Sequence, residues 1–191
     1  MKTRQLTVNA LFLAIIVLLS IVPQVGLIQI GHISITIMHI PVIIAGIVLG
    51  PRSAIMGGIA FGLGSLYAAL TRAVTPIDIL FTNPLVSVLP RILFGVSIAL
   101  VYPTLKKVFK NDTGVYALTA GFTTAIHTIL VFAALYFAMT GSTNADLLAA
   151  TASGLLGFLI AGISVNVLVE ILVAVLIVPP VVSVLKKYIV Q

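Results

Sequence analysis

The chain has 191 residues, of which 61% are hydrophobic and 7% charged, with a formal net charge of +6 and a mean hydropathy of +1.30. A soluble domain carries about 25% charged residues, so this composition excludes a water-exposed globular fold and identifies an integral membrane protein. No cysteine is present, which removes a disulfide framework and a thiolate metal site; the basic residues sit at segment ends, which argues against nucleic acid as a partner.

The opening stretch "MKTRQLTVNALFLAIIVLLSIV" has the charged start and apolar run of a signal peptide, but it shows no small-residue cleavage site and further spans follow. It reads as a retained first helix. A helical span needs about 20 mostly apolar residues. In chain order the candidates are Leu6–Val25, Ile33–Gly50, Ala54–Leu70, Leu85–Tyr102, Val115–Met139 and Leu155–Val182, six in all, with a "GPRS" turn dividing the second from the third. The expected fold is therefore an all-α membrane protein, one domain over residues 1–191, built as a compact bundle of six transmembrane helices.

An even number of spans puts both termini on one side. On that side fall Lys2, Arg4, Arg52, Lys106, Lys107, Lys110, Lys186 and Lys187, eight of the ten basic residues; the opposite loops hold Arg72, and Arg91 lies within a span. The positive-inside rule makes both termini cytoplasmic. The outer connections, "GLIQIGHISIT", "TRAVTPIDILFTNP" and "TGSTNADLLAATASG", are longer than the helices need. They read either as lids over an outward-opening site or as plain solvated connectors.

Five strongly polar residues stand out within the spans: His39, Arg91, His127, Asn166 and Glu170. With alternating helix directions, Arg91 lies six residues, roughly 9 Å, below the outer end of the fourth helix. Glu170 follows Asn166 by one turn on the same helix face. All five can converge on one cavity, open above and closed below. Ionisable groups at membrane depth are costly and mark function or pairing. Arg91 and Glu170 therefore either form a buried ion pair between the fourth and sixth helices or line a wet pocket for a polar ligand. For His127, a helix-to-helix hydrogen bond competes with ligand contact; the outer position of His39 favours ligand or loop contact. Pro90 frees a backbone carbonyl next to Arg91.

"GGIAFGLGS" places Gly58 and Gly62 at GxxxG spacing, flanked by Gly57 and Gly64, and reads as a helix-packing face. It lacks the Lys-Ser/Thr ending of a phosphate loop, so ATP that powers any transport must be hydrolysed by another subunit. Ser65 within "GLGS" is not the nucleophile of a G-x-S-x-G elbow, and no His-Glu-x-x-His helix offers a zinc site. The sequence thus implies no catalytic residues, no metal and no cofactor. It shows no repeated channel filter and no paired repeats of a secondary transporter.

The stretches "NALFLAIIVLLS", "ITIMHIPVIIAGIVLGPRSAIMGGIAFGLGSL", "TPIDILFTNPLVSVLPRILFGV", "HTILV" and "NVLVEILVAVLIVPPVVSVLKK" carry a resemblance across nearly the whole chain. It resembles the substrate-capture (S) component of energy-coupling factor (ECF) vitamin transporters, in the branch with pantothenate and hydroxymethylpyrimidine or pyridoxine carriers. The resemblance implies a multi-pass protein of the cell membrane that binds a vitamin from outside. It further implies docking on a transmembrane coupling protein (T component) driven by two ATPase subunits. The family's A-x-x-x-A docking patch on the first helix matches Ala10 and Ala14 here; Ala134/Ala138 and Ala145/Ala149 share the spacing.

The ligand is read from chemistry. Arg91 suits the carboxylate of pantothenate, whereas ring nitrogens and hydroxyls suit Glu170, His127 and Asn166. The resemblance leads one to expect asparagine at the position of His127 in pantothenate carriers. That departure favours hydroxymethylpyrimidine or a pyridoxine-type compound, with pantothenate close behind, although no tryptophan is present to stack a ring. A stand-alone membrane protein, structural or enzymatic, is the competing class.

Overall fold

The computed structural model describes residues 3–22, 27–30, 33–73, 76–141 and 145–189, with side chains described at 5–22, 36–73, 78–141 and 167–189. Helix α1 runs Thr3–Ile21, followed by strands β1 (Leu27–Ile30) and β2 (Ile33–Thr36). Next come α2 (His39–Leu49), α3 (Pro51–Arg72) and the short α4 (Pro76–Leu80) and α5 (Pro84–Ser87). The long helices α6 (Leu89–Val108), α7 (Asp112–Thr140) and α8 (Ala145–Ile189) complete the chain. Among the described residues, four segments, 51–72, 84–108, 112–140 and 167–189, are long and apolar enough to cross a membrane; 5–21 and 39–49 are shorter apolar helices.

Among the described residues the regular structure is helical with one exception. The expected second span, Ile33–Gly50, divides: Ile33–Thr36 pairs antiparallel with Leu27–Ile30, Leu27 opposite Thr36 and Ile30 opposite Ile33. The β-branched alternation of "ISIT" suits a strand, and the helix begins only at His39. Gly50 carries φ 99°, a left-handed turn that glycine adopts without a Cβ clash, and Pro51 then starts α3 with φ already set. The fourth span, expected from Leu85, opens as the short α5 and continues as α6, and the connection expected between the third and fourth spans contains α4. The one expected to run to Gly154 is helical from Ala145 onward, in keeping with the Ala and Leu of "ADLLAATAS".

Small residues set the packing. A Cβ on Gly58 would lie 2.4 Å from the Arg91 carbonyl oxygen, and one on Gly95 would lie 2.5 Å from that of Ala54. Helices α3 and α6 therefore touch backbone to backbone, as close approach through small residues allows. Gly57 faces Val42 and Ile16, while Gly64 faces Ser20, so the glycines serve two neighbouring contacts. The apolar core gathers Ile16, Val42, Ile43, Phe61, Phe94, Ile98, Ala120 and Val178 from six helices.

The bundle has two distinct ends. At one, Arg72 at the close of α3 donates to the Ser20 carbonyl of α1 at 2.6 Å, and the β1–β2 hairpin joins α1 to α2. At the other, α2 turns into α3 at Gly50, α6 meets α7, and α8 ends in Lys186 and Lys187. There Lys186 donates to the Tyr102 hydroxyl and lies over the rings of Tyr102 and Tyr116, at 4.9 and 5.0 Å. Lys106 pairs with Asp112 across the α6–α7 turn.

Candidate functional site

Near the hairpin end, three helices bring polar groups into the apolar core. Arg91 lies in the first turn of α6, where Pro90 takes an early position that needs no backbone N–H. Proline cannot donate to the carbonyl of residue 86, four positions back. That carbonyl accepts instead from Arg91 Nη1 at 2.9 Å. The Pro90-Arg91 pair thus holds the guanidinium inside the bundle. Its Cζ sits 5.6 Å from the Phe61 ring centroid and 5.2 Å from that of Phe81, a cation–π seat between α3 and the segment preceding α5.

His39 opens α2 and is fully buried; His127, near the middle of α7, is 6% exposed. Their rings stack at 6.1 Å between centroids with 20° between planes. Phe94 lies 4.8 Å from His127 and 6.4 Å from His39, and Phe61 lies 5.5 Å from His127. Phe61 thus bridges Arg91 to the histidine pair.

Hydrogen bonding distinguishes this cluster. Among the described residues, seven buried side-chain nitrogen and oxygen atoms have no hydrogen-bond partner. Six of them belong to His39 (Nδ1 and Nε2), His127 (Nδ1 and Nε2), Arg91 (Nε) and Thr124 (Oγ1). Each such atom costs about 1–3 kcal/mol when left unmet. Native interiors do not gather them without a reason. Thr124 stands one turn before His127 on α7, and neighbouring threonines are satisfied locally: Thr123 donates to the Thr119 carbonyl at 2.7 Å and Thr128 to the Thr124 carbonyl at 3.1 Å. The set offers a fixed cation, two imidazoles able to donate or accept, one hydroxyl, and aromatic walls. Such a surface suits a small polar molecule with an anionic group.

The structure brings His39, Arg91 and His127 together and turns Glu170 to the backbone of Thr36 at the hairpin. No ion pair or hydrogen bond joins Arg91 to Glu170; Glu170 Oε1 accepts from the backbone N–H of Thr36 at 2.9 Å. The buried ion-pair reading is thereby corrected. The side chain of Asn166 lies outside the described residues. Sequence reasoning missed Phe61, Phe81, Phe94 and Thr124. The aromatics carried no polar flag, and threonine is ordinary in helices; the three-residue spacing of Thr124 and His127 was the available signal. Asn9, also missed, is buried on α1 and reaches Met56 Sδ on α3 at 3.8 Å.

Ala10 and Ala14 are both exposed on α1, beside exposed Leu6, Leu11 and Leu18. Among the described residues no group of three or more His, Cys, Asp or Glu side chains could hold a metal ion. An apolar cleft of about 300 Å³, lined by Pro180, Val181, Val184 and Leu185, lies towards the basic end of α8. Its lining offers no polar side chain.

Comparison with known proteins supplies the remaining observation. The pattern of the family described as "ECF transporter, substrate-specific component" matches residues 4–182. The chain is 29% identical to the pantothenate transporter PanT of Leuconostoc mesenteroides subsp. mesenteroides, over 96% of this chain and 93% of that protein. It is 32% identical to the pantothenic acid transporter PanT of Lactococcus lactis subsp. cremoris, over 97% of this chain and 95% of that protein.

Proposed function

We propose that this chain, which belongs to the family of ECF-transporter substrate-specific components, captures pantothenate at the outer face of the cell membrane. It is a transporter subunit. Its four long apolar segments, 51–72, 84–108, 112–140 and 167–189, cross the bilayer with α1 and the shorter α2 inserted beside them, both termini cytoplasmic. The basic end, with Lys106, Lys107, Lys186 and Lys187, then faces inward, and the hairpin end faces outward. The captured vitamin passes inward when the chain docks on a T component carrying two ATPase subunits. Ala10 and Ala14, exposed on α1, present a small-residue surface on which a partner helix can pack closely.

The observation that carries the ligand reading is the buried cluster of unpartnered polar atoms around Arg91. Pantothenate has a carboxylate, an amide, two hydroxyls and a gem-dimethyl carbon. Arg91 is a cation suited to the carboxylate. The imidazoles of His39 and His127 and the Thr124 hydroxyl can meet the hydroxyls and the amide. Phe61, Phe81 and Phe94 offer apolar surface to the dimethyl group. The pantothenate names of both relatives support the same choice. Pantothenate therefore replaces the hydroxymethylpyrimidine or pyridoxine-type ligand that His127 had favoured. Histidine donates and accepts hydrogen bonds much as an asparagine does, so its presence does not exclude the acyclic vitamin.

The test is direct binding of labelled pantothenate to the purified chain, with hydroxymethylpyrimidine and pyridoxine as competitors. Arg91→Ala weakens binding about 100-fold, the scale of a lost charge-assisted contact in a dry site. Undiminished binding by that variant, or displacement by the ring compounds at equal concentration, overturns the assignment. Ala10→Trp leaves binding to the isolated chain unchanged and abolishes ATP-driven uptake in vesicles containing the whole transporter.

A further inference from the structure

We propose that Glu170 is a positioning residue that latches the β1–β2 hairpin to α8 and so governs retention of the captured molecule, without touching it. The functional consequence rests on the capture reading above; the latch itself does not.

Thr36 is the last residue of β2, paired with Leu27 at the end of the ladder. Its N–H points to Glu170 Oε1, 134 residues away in sequence and 2.9 Å away in space. Glu170 is 9% exposed. A carboxylate at membrane depth and a strand-end N–H are each costly there unless paired, and this contact meets both needs at once. The two-stranded hairpin is too small to be stable alone, so its placement depends on what it is fastened to. Strand β2 packs on α8, and Glu170 supplies a charge-assisted bond in that contact.

The latch is joined to the polar cluster by a short stretch of backbone. From Thr36 the chain turns through Ile37, whose carbonyl accepts from Ile40 N at 3.1 Å, and His39 begins α2. Two residues, Ile37 and Met38, therefore separate the latched Thr36 from His39 of the candidate site. With Thr36 tied to α8 and the His39 ring stacked on His127 of α7, the start of α2 is held from two sides. Releasing the Glu170 contact frees the strand end and removes one of the two restraints on His39. The molecule held by His39, His127 and Arg91 then escapes faster, while entry, which needs no latch, changes little.

The chain has no cysteine, so single introduced cysteines report without background. Spin labels at Ser34→Cys on β2 and Leu172→Cys on α8 give the hairpin-to-helix distance distribution in lipid nanodiscs without ligand. Dissociation of labelled pantothenate is measured on the unlabelled variants. Glu170→Ala broadens the distance distribution and speeds dissociation about ten-fold, with association within about two-fold of the parent. Glu170→Gln keeps an acceptor oxygen and stays near the parent in both. Thr36→Pro removes the donor, leaves the carboxylate intact and reproduces Glu170→Ala, which guards against a folding defect peculiar to one variant. An unchanged distance distribution in Glu170→Ala overturns the latch. So does loss of pantothenate affinity in Glu170→Gln as deep as in Glu170→Ala with the hairpin unmoved, which marks Glu170 as a ligand contact. Failure of the parent chain to bind pantothenate overturns the capture reading alone, because the distance measurement needs no ligand.

Discussion

The regions beside the two ends of α6 hold cations in opposite states of satisfaction. At the basic end, Lys186 meets the Tyr102 hydroxyl and two tyrosine rings, and Lys106 meets Asp112. At the hairpin end, Arg91 uses Nη1 on a carbonyl but keeps Nε unpartnered, beside two histidines whose four ring nitrogens have no partner. Both clusters combine cations with aromatic rings, so composition does not separate them. Satisfaction does. A cation whose bonds are met by its own protein holds helices together, whereas buried donors and acceptors left open keep bonding capacity for another molecule.

The contrast can be broken by substitution, beginning with the deepest expected effect. Replacing both histidines by phenylalanine keeps the ring volumes and removes four open nitrogens. Pantothenate affinity then falls at least about 30-fold while thermal stability holds or rises, since unmet polar atoms are costly to bury. Calorimetric titration and a melting curve on the same sample check both halves. Next, Gly58→Ala drives a methyl group against the Arg91 carbonyl and pushes α6 away from α3. Overpacking of this kind costs about 1–3 kcal/mol, and the displaced guanidinium weakens capture several-fold, measured by the same titration. Lys186→Met keeps the stem and removes the charge. It lowers the melting temperature modestly, on the order of 1 kcal/mol for a cation–π and hydrogen-bonded contact, and leaves pantothenate affinity unchanged. Smallest of all is Asp112→Asn, which breaks an exposed pair with Lys106. Surface pairs contribute little, so melting and capture stay at parent values in high salt and low. A loss of affinity from either basic-end variant would show that the two ends are coupled.

Much of the molecule was legible beforehand because the membrane imposes severe rules. Runs of apolar residues, the "GPRS" turn and the lopsided lysines are local features, and lipid penalises every alternative to a helix that satisfies its own backbone. The packing role of Gly58 and Gly62 was equally readable, since small-residue spacing has few other uses. The strand at Ile33–Thr36 was not. A four-residue stretch of isoleucine, serine and threonine directly before an apolar helix read as more helix, and a two-stranded hairpin is stable only where the bundle gives it something to rest on.

Polarity within the spans marked His39, Arg91, His127 and Glu170 as unusual, because ionisable side chains do not persist at membrane depth without cause. Sequence by itself determined the class of the protein, its approximate helices, its basic end, and a short roster of residues needing explanation. Only the tertiary structure decided how that roster divides. It stacks His39 on His127 beside Arg91 with their atoms open, and it sends Glu170 to the backbone of Thr36. The physical reason is that polarity belongs to a residue and can be read one letter at a time, whereas satisfaction belongs to a pair and depends on which helices meet.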